Sequence, residues 1–303
     1  MSSTLTTVTS IFILLLVGYG AKKVGVLKSS DESIINSILI NIALPSFIFV
    51  NTIGKPLTSA MIKTPAIGII VEAFIIALAY VIARLLRLDR PTTGALMIVA
   101  AFGNTGYMGY PVAKAAFPDD GRGILTAVLF DNFAMRAALI TVGVAIATSS
   151  AGARFQWSSL TQFVKTPLFP AMVVGLVFRT TQMPALVMTP LNYLGDATVP
   201  LSMISIGLGL SATSLREYPA PLVAAVLMKM ALFPFLMAIL LNAFGVTGTV
   251  AKAAILEGAM PTAVFSGIVV SRFGANGRFG SAAIFVSTLL SAVTVPAILQ
   301  MLD

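Results

Sequence analysis

Apolar runs of about 20 residues recur along nearly the whole chain, parted only by short polar loops. A helix of about that length is what crosses the hydrocarbon core of a bilayer. Inside lipid every backbone N–H and C=O must find a partner within the protein. These runs predict an all-α polytopic membrane protein with ten transmembrane helices, at 4–24, 32–52, 63–86, 92–117, 122–148, 160–179, 187–211, 219–243, 249–272 and 279–301. Runs such as IFILLLVGYG do not alternate, which argues against a β-barrel. Composition leaves no soluble alternative. The chain is 57% hydrophobic and 10% charged, against roughly 45–50% and about 25% in soluble domains.

Cysteine and histidine are both absent. This excludes disulfides, thiol nucleophiles, histidine proton relays and the usual zinc and haem ligands. No enzyme and no cofactor are expected. The net charge of +8 sits mostly in short loops, so it reads as a topology signal, with lipid rather than nucleic acid as the partner. Eleven loop Lys and Arg residues, Arg154 and Lys165 among them, fall on one side and six on the other. The positive-inside rule makes the first side cytoplasmic and both termini extracytoplasmic. The first residues lack a basic n-region and an A-x-A site, and read as the first span.

Features repeat at a shift of about 155. Pro45 meets Pro200, Gly20 meets Gly175, and FPDDGR meets FGANGR, whose arginines are Arg122 and Arg278. Residues 1–153 and 154–303 are then two five-helix repeats. An odd number of spans inverts the second repeat, the plan of many secondary transporters.

Spans 4 and 9 correspond under this shift, and both are broken. Span 4 contains GNTGYMGYP, residues 103–111, and span 9 contains EGAMPTAVF, residues 257–265. Pro111 and Pro261 each remove a helical hydrogen bond. Irregular backbone at membrane depth persists only when buried in protein or lining a cavity. Helix N-termini freed there expose unpaired N–H groups and partial positive charge, which suits a carboxylate. Asn104 adds an amide donor beside Thr105 and Gly106, Thr262 lies in the second break, and Tyr107, Tyr110 and Phe265 can wall an apolar body.

Charges within spans are costly enough to invite a functional reading. Glu257, a turn before Pro261, is the first candidate for coupling to Na+ or H+. Asp131 and Asn132 in span 5 come next. At α-helical spacing Asn132 and Arg136 share a face, whereas Asp131 and Arg136 do not. Glu72 and Lys229, at nearly equivalent repeat positions, are expected to form an ion pair, and Asp196 to be a solvated cap.

NTGYMGYP, residues 104–111, resembles the N-T-x-x-M-G-x-P motif in the fourth helix of the auxin efflux carrier family. AMP at 259–261, NIALPSFIF and DATVPLSMISIGLGLS resemble that family's ninth, second and seventh helices. The likeness spans the chain, without the long central loop of the plant auxin carriers, as in a compact bacterial member of the inner membrane. It implies a crossover fold similar to the sodium–bile acid symporters. Helices 1, 2, 6 and 7 would be a scaffold that forms a homodimer, and helices 3–5 and 8–10 a transport domain moving as an elevator. It also implies that Asn104 contacts a substrate carboxylate, that Met108 lies in the break, and that Pro111 and Pro261 shape the crossing. The expected function is secondary transport of an organic anion, auxin-like or a small mono- or dicarboxylate. An anion channel and a non-transporting membrane sensor are the alternatives.

Overall fold

The computed structural model describes residues 3–153, 166–210 and 214–302. Arg154, Lys165 and the opening of the sixth expected span lie outside the described residues, and the expected boundary at 153 falls on their edge. The described chain is helical, and its β-type pairing is a single bridge between Gly103 and Thr262. In order the helices are α1 Ser3–Lys23, α2 Ser29–Thr52, α3 Ser59–Leu85, α4 Arg90–Ala101, α5 at 105–116 and α6 Gly121–Ser150. They continue as α7 Leu168–Val177, α8 at 185–209 with an interruption at Ala197, α9 Pro219–Ala243, α10 Gly248–Gly258, α11 Val264–Arg272 and α12 Gly277–Leu302. Five of them, α2, α3, α6, α9 and α12, are single helices long and apolar enough to cross a membrane. Expected spans 4 and 9 are split, into α4 with α5 and α10 with α11.

The helix starts follow local chemistry. Asp89 accepts from the Thr92 amide at 3.1 Å to cap α4, and Asp120 from the Arg122 amide at 3.0 Å to cap α6. The same Asp120 is bidentate with the Arg122 guanidinium, which holds its carboxyl well below the usual carboxylate range. Proline acts less simply. Pro45, Pro111 and Pro234 each lie just after a wide π turn, at Leu39–Ala43, Thr105–Gly109 and Met228–Leu232. Proline cannot bond the carbonyl four residues back, and its ring crowds that carbonyl. Widening the preceding turn accommodates the ring without ending the helix. Two more π turns, Phe130–Arg136 and Leu139–Gly143, interrupt α6 with no proline after them.

α1 lies against the second half of α8. A Cβ on Gly207 would collide with the backbone of Leu15 and Tyr19, so the two helix backbones are nearly in contact. Lipid-embedded helices lack a hydrophobic drive to associate, so close packing through small residues takes its place. The end of α1 adds a tie: Lys22 Nζ donates to the carbonyls of Leu208 and Leu210 at 2.7 and 2.5 Å, closing the open C-terminus of α8. The largest buried apolar cluster joins α2, α3, α4, α6 and α9. A second one gathers Ile11, Phe12 and Leu15 of α1 with Met108, Met203, Met260 and Val295.

Gly207→Val is expected to destabilise the α1–α8 contact by about 1–3 kcal/mol through overpacking. Melting in detergent, followed by size-exclusion chromatography after heating, should show a drop of several degrees. An unchanged melting temperature would mean the two helices do not pack at this glycine.

Candidate functional site

The two breaks meet. α4 ends at Ala101 and Phe102 turns extended; α10 ends at Gly258 and the chain reopens into helix at Val264. Between them the strands run antiparallel: the Asn104 amide donates to the Pro261 carbonyl at 2.7 Å, and the Ala263 amide to the Phe102 carbonyl at 3.0 Å. Each break thereby supplies the partners that the other lost, as backbone at membrane depth requires.

Side chains complete this exchange on the carbonyl ends. Thr262 Oγ1 donates to the Val99 carbonyl in the last turn of α4 at 2.9 Å, and the Thr262 amide donates to Ser287 Oγ of α12 at 3.1 Å. The fully buried Lys229 donates to the Gly258 carbonyl at the end of α10 at 2.7 Å, with its ammonium 4.2 Å from the centre of the Phe233 ring. The expected ion pair with Glu72 is not formed: both Glu72 oxygens are buried without a hydrogen-bond partner. The π turn at Met228–Leu232 carries Lys229, and the helix terminus it caps offers a carbonyl with no other partner.

The N-terminal end of α5 is different. Among the described residues no acceptor meets the amides of Thr105, Gly106 and Tyr107. Asn104 is 5% exposed, and its Nδ2 is buried with no partner. Beside these donors lies a cavity of about 120 Å³ lined by Asn104, Gly106, Tyr107, Phe102 and Gly103 from the first break, Ala263 and Phe265 from the second, Asp131, Met135 and Arg136 from α6, Ile40 from α2 and Leu168 from α7.

One wall of the cavity is an ionic network. Asp131 Oδ1 accepts from Thr105 Oγ1 at 2.6 Å; Oδ2 accepts from Tyr110 Oη at 2.7 Å and from Arg136 Nη2 at 2.5 Å. The α-helical spacing had set Asp131 and Arg136 on different faces. The turn at Phe130–Arg136 is a π turn, so residues five apart come into register and the pair closes. Sequence reasoning missed this pair, and a carboxylate and a guanidinium five residues apart within a span were its only signal.

The remaining expected site residues occupy distinct places. Tyr110 is fully buried and stacks on Phe47 at 5.4 Å. Asn132 donates to the Val128 carbonyl at 2.9 Å and to Tyr110 Oη at 3.2 Å, outside the cavity lining. Pro111 is buried in the first α turn after the π turn, and Met108 is buried in the second apolar cluster. Pro261 contributes its carbonyl to the crossing. Glu257 is fully buried with both oxygens unpartnered, facing Gly109 so closely that a Cβ there would collide with the carboxylate. Asp196 is exposed and pairs with Lys114 at 2.6 Å. Among the described residues no cluster of acidic side chains could hold a metal ion.

An unpartnered amide and open helix amides beside a cavity, at a crossing of broken membrane helices, are features of a binding site in a membrane transport protein. A family profile described as membrane transport protein matches the chain over residues 3–162 and 154–299. The chain belongs to this family of integral membrane transporters, the auxin efflux carrier family, in agreement with the motif at 104–111. It is 31% identical to an uncharacterized transporter of Methanothermobacter thermautotrophicus, over 96% of this chain and 95% of the relative. It is 29% identical to one of Methanocaldococcus jannaschii, over 94% of each. It is also 25% identical to a candidate malonate transporter of Rhizobium meliloti, over 88% of this chain and 86% of that protein.

Asp131→Ala leaves the Arg136 guanidinium without its buried counter-charge, and loss of one partner of a buried pair costs about 3–5 kcal/mol. We expect a large fall in detergent melting temperature, partly restored in Asp131→Ala/Arg136→Met. A double variant no better than the single one would show that the pair is not coupled.

Proposed function

We propose that the protein is a secondary transporter that binds an organic anion through a carboxylate at the crossing of α4–α5 with α10–α11, and moves it by an elevator-type change of access. The observation that carries this reading is the unpartnered side-chain Nδ2 of Asn104 beside the open N-terminal backbone amides of α5, all at one cavity. Donors without acceptors, with the carbonyl ends already capped, favour an anion over a cation. The name of the Rhizobium meliloti relative points to a small carboxylate in the family.

In this reading the two halves are inverted repeats, and α1, α2, α7 and α8 form the scaffold through which the protein dimerises. α3–α6 and α9–α12 form the part that moves. Support comes from the cavity lining, which draws Ile40 and Leu168 from the scaffold and Asn104, Asp131 and Phe265 from the moving part. The protein would sit in the inner membrane of a bacterial cell with both termini outside, as its loop charges suggest. Glu257 is the group assigned to coupling with Na+ or H+, because it is a buried carboxylate at the crossing with no hydrogen-bond partner.

In proteoliposomes, Asn104→Ala is expected to lower carboxylate flux at least about tenfold, the loss that 1.4 kcal/mol of binding free energy brings. Unchanged flux of every carboxylate carried by the wild type would remove the site. With sodium and proton gradients varied separately, wild-type flux should follow one of them. Glu257→Gln should lose that dependence while exchange without a gradient persists. If neither gradient matters and the variant is unimpaired, Glu257 has no coupling role.

A further inference from the structure

We infer that Arg136 is a second anion anchor, so that the site discriminates ligands carrying two anionic groups from those carrying one. This rests on the reading of the cavity as a carboxylate site and assigns its specificity to a residue outside the broken-helix motifs.

A guanidinium has five N–H donors. Among the described residues Arg136 places one nitrogen, Nη2, on Asp131 Oδ2. Its side chain lines the cavity and is 14% exposed, and none of its nitrogens is among the enclosed atoms without a partner. Its other nitrogens are thus not sealed in the core, and the side chain that carries them borders the cavity. Asp131 does not consume them. Its oxygens already accept from Thr105 Oγ1 and Tyr110 Oη, which satisfy the carboxylate whether or not the guanidinium is fully engaged. Arg136 can then share its fork between Asp131 and a ligand carboxylate, a geometry that guanidinium supports and ammonium does not.

The two anchors differ in kind. Asn104 and the α5 amides are neutral dipoles and hold one carboxylate at the crossing. Arg136 holds a formal charge on the neighbouring wall, with Gly106 between them: a Cβ on Gly106 would lie 3.1 Å from Arg136 Nη2. A ligand with a single anionic group leaves guanidinium donors unmet in a cavity whose lining also includes the apolar Phe102, Met135, Leu139 and Ile140. A short dicarboxylate fills both. Burying donors unmet is costly, so the second carboxylate is selected for by the penalty on its absence.

The test compares malonate with monomethyl malonate, which keeps the skeleton and removes one charge, as competing probes of uptake into proteoliposomes. Wild type should prefer malonate at least about tenfold. Arg136→Gln should abolish that preference by lowering malonate uptake at least several-fold more than monomethyl malonate uptake, and Arg136→Lys should keep only part of it. Size-exclusion chromatography monitors folding. If the glutamine variant does not fold, the lysine variant decides, with at least a threefold fall in the ratio expected. An unchanged ratio in the variant that folds, an equal loss of both probes, or a wild type that does not prefer malonate overturns the assignment. Asn104→Ala run alongside separates the two hypotheses. It should weaken both probes if the crossing holds a carboxylate, and its failure to do so leaves the Arg136 ratio to be judged alone.

Discussion

Two backbone hydrogen bonds, from the Asn104 amide to the Pro261 carbonyl and from the Ala263 amide to the Phe102 carbonyl, carry the rest of the structure. A helix cannot stop in the middle of a membrane unless its open ends are satisfied nearby, since each unmet group costs several kcal/mol there. Here two helices stop at one place and run antiparallel past each other for a few residues. The break in one is the remedy for the break in the other. Neither could be closed by local sequence change without stranding its partner. The polarity of what remains is the important part. Thr262 and Lys229 close carbonyl ends, at Val99 and Gly258, whereas the amides opening α5 stay free. The amides opening α5 and the Asn104 Nδ2 are thus the unmet donors on which the proposed anion site rests.

The buried charges divide along the same lines. Lys229 and Arg136 both lie in π turns, which rotate their side chains relative to a regular helix. Lys229 turns inward to a helix terminus and serves the fold. Arg136 meets a carboxylate held by two other donors and keeps donors to spare. Glu72 and Glu257 have no hydrogen-bond partner at all. A buried carboxylate in that condition is a structural expense, and the geometry of Glu257 against Gly109, at the crossing itself, sets it apart from Glu72 on the flanking α3.

Much of the framework was legible in the sequence because it depends on proline, glycine and hydrophobic length. Gly103 and Pro111 in one span, and Gly258 and Pro261 in another, marked the breaks without any structure. What could not be read was the consequence of π turns. Periodicity assumes 3.6 residues per turn, and at that pitch Asp131 and Arg136 point apart; one wide turn brings them together. The pairing of Lys229 with Glu72 came from a different inference, the equivalence of their repeat positions, which takes no account of a competing acceptor. Lys229 instead found a carbonyl that exists only because α10 ends at Gly258, a fact of tertiary structure.

The two flanks of the crossing are not alike. On one flank Asn104, Tyr107, Asp131 and Arg136 border a cavity. Across it, Met108, Val112, Leu256 and Met260 pack with Ile11, Phe12, Leu15, Met203, Ile206, Val295 and Leu299 into an apolar cluster. Branched side chains alone would make a rigid plug, but the methionines at 108, 203 and 260 are unbranched and polarizable and fill irregular gaps at low cost. A crossing that shifts relative to α1 and α8 must repack this flank while keeping its backbone bonds. The methionine-lined side is where that can happen, and the ionic wall around Asp131 is where it cannot, because three donors converge on one carboxylate. The elevator-type movement proposed above would therefore carry the Asp131 network with it as a unit and slide on the methionines.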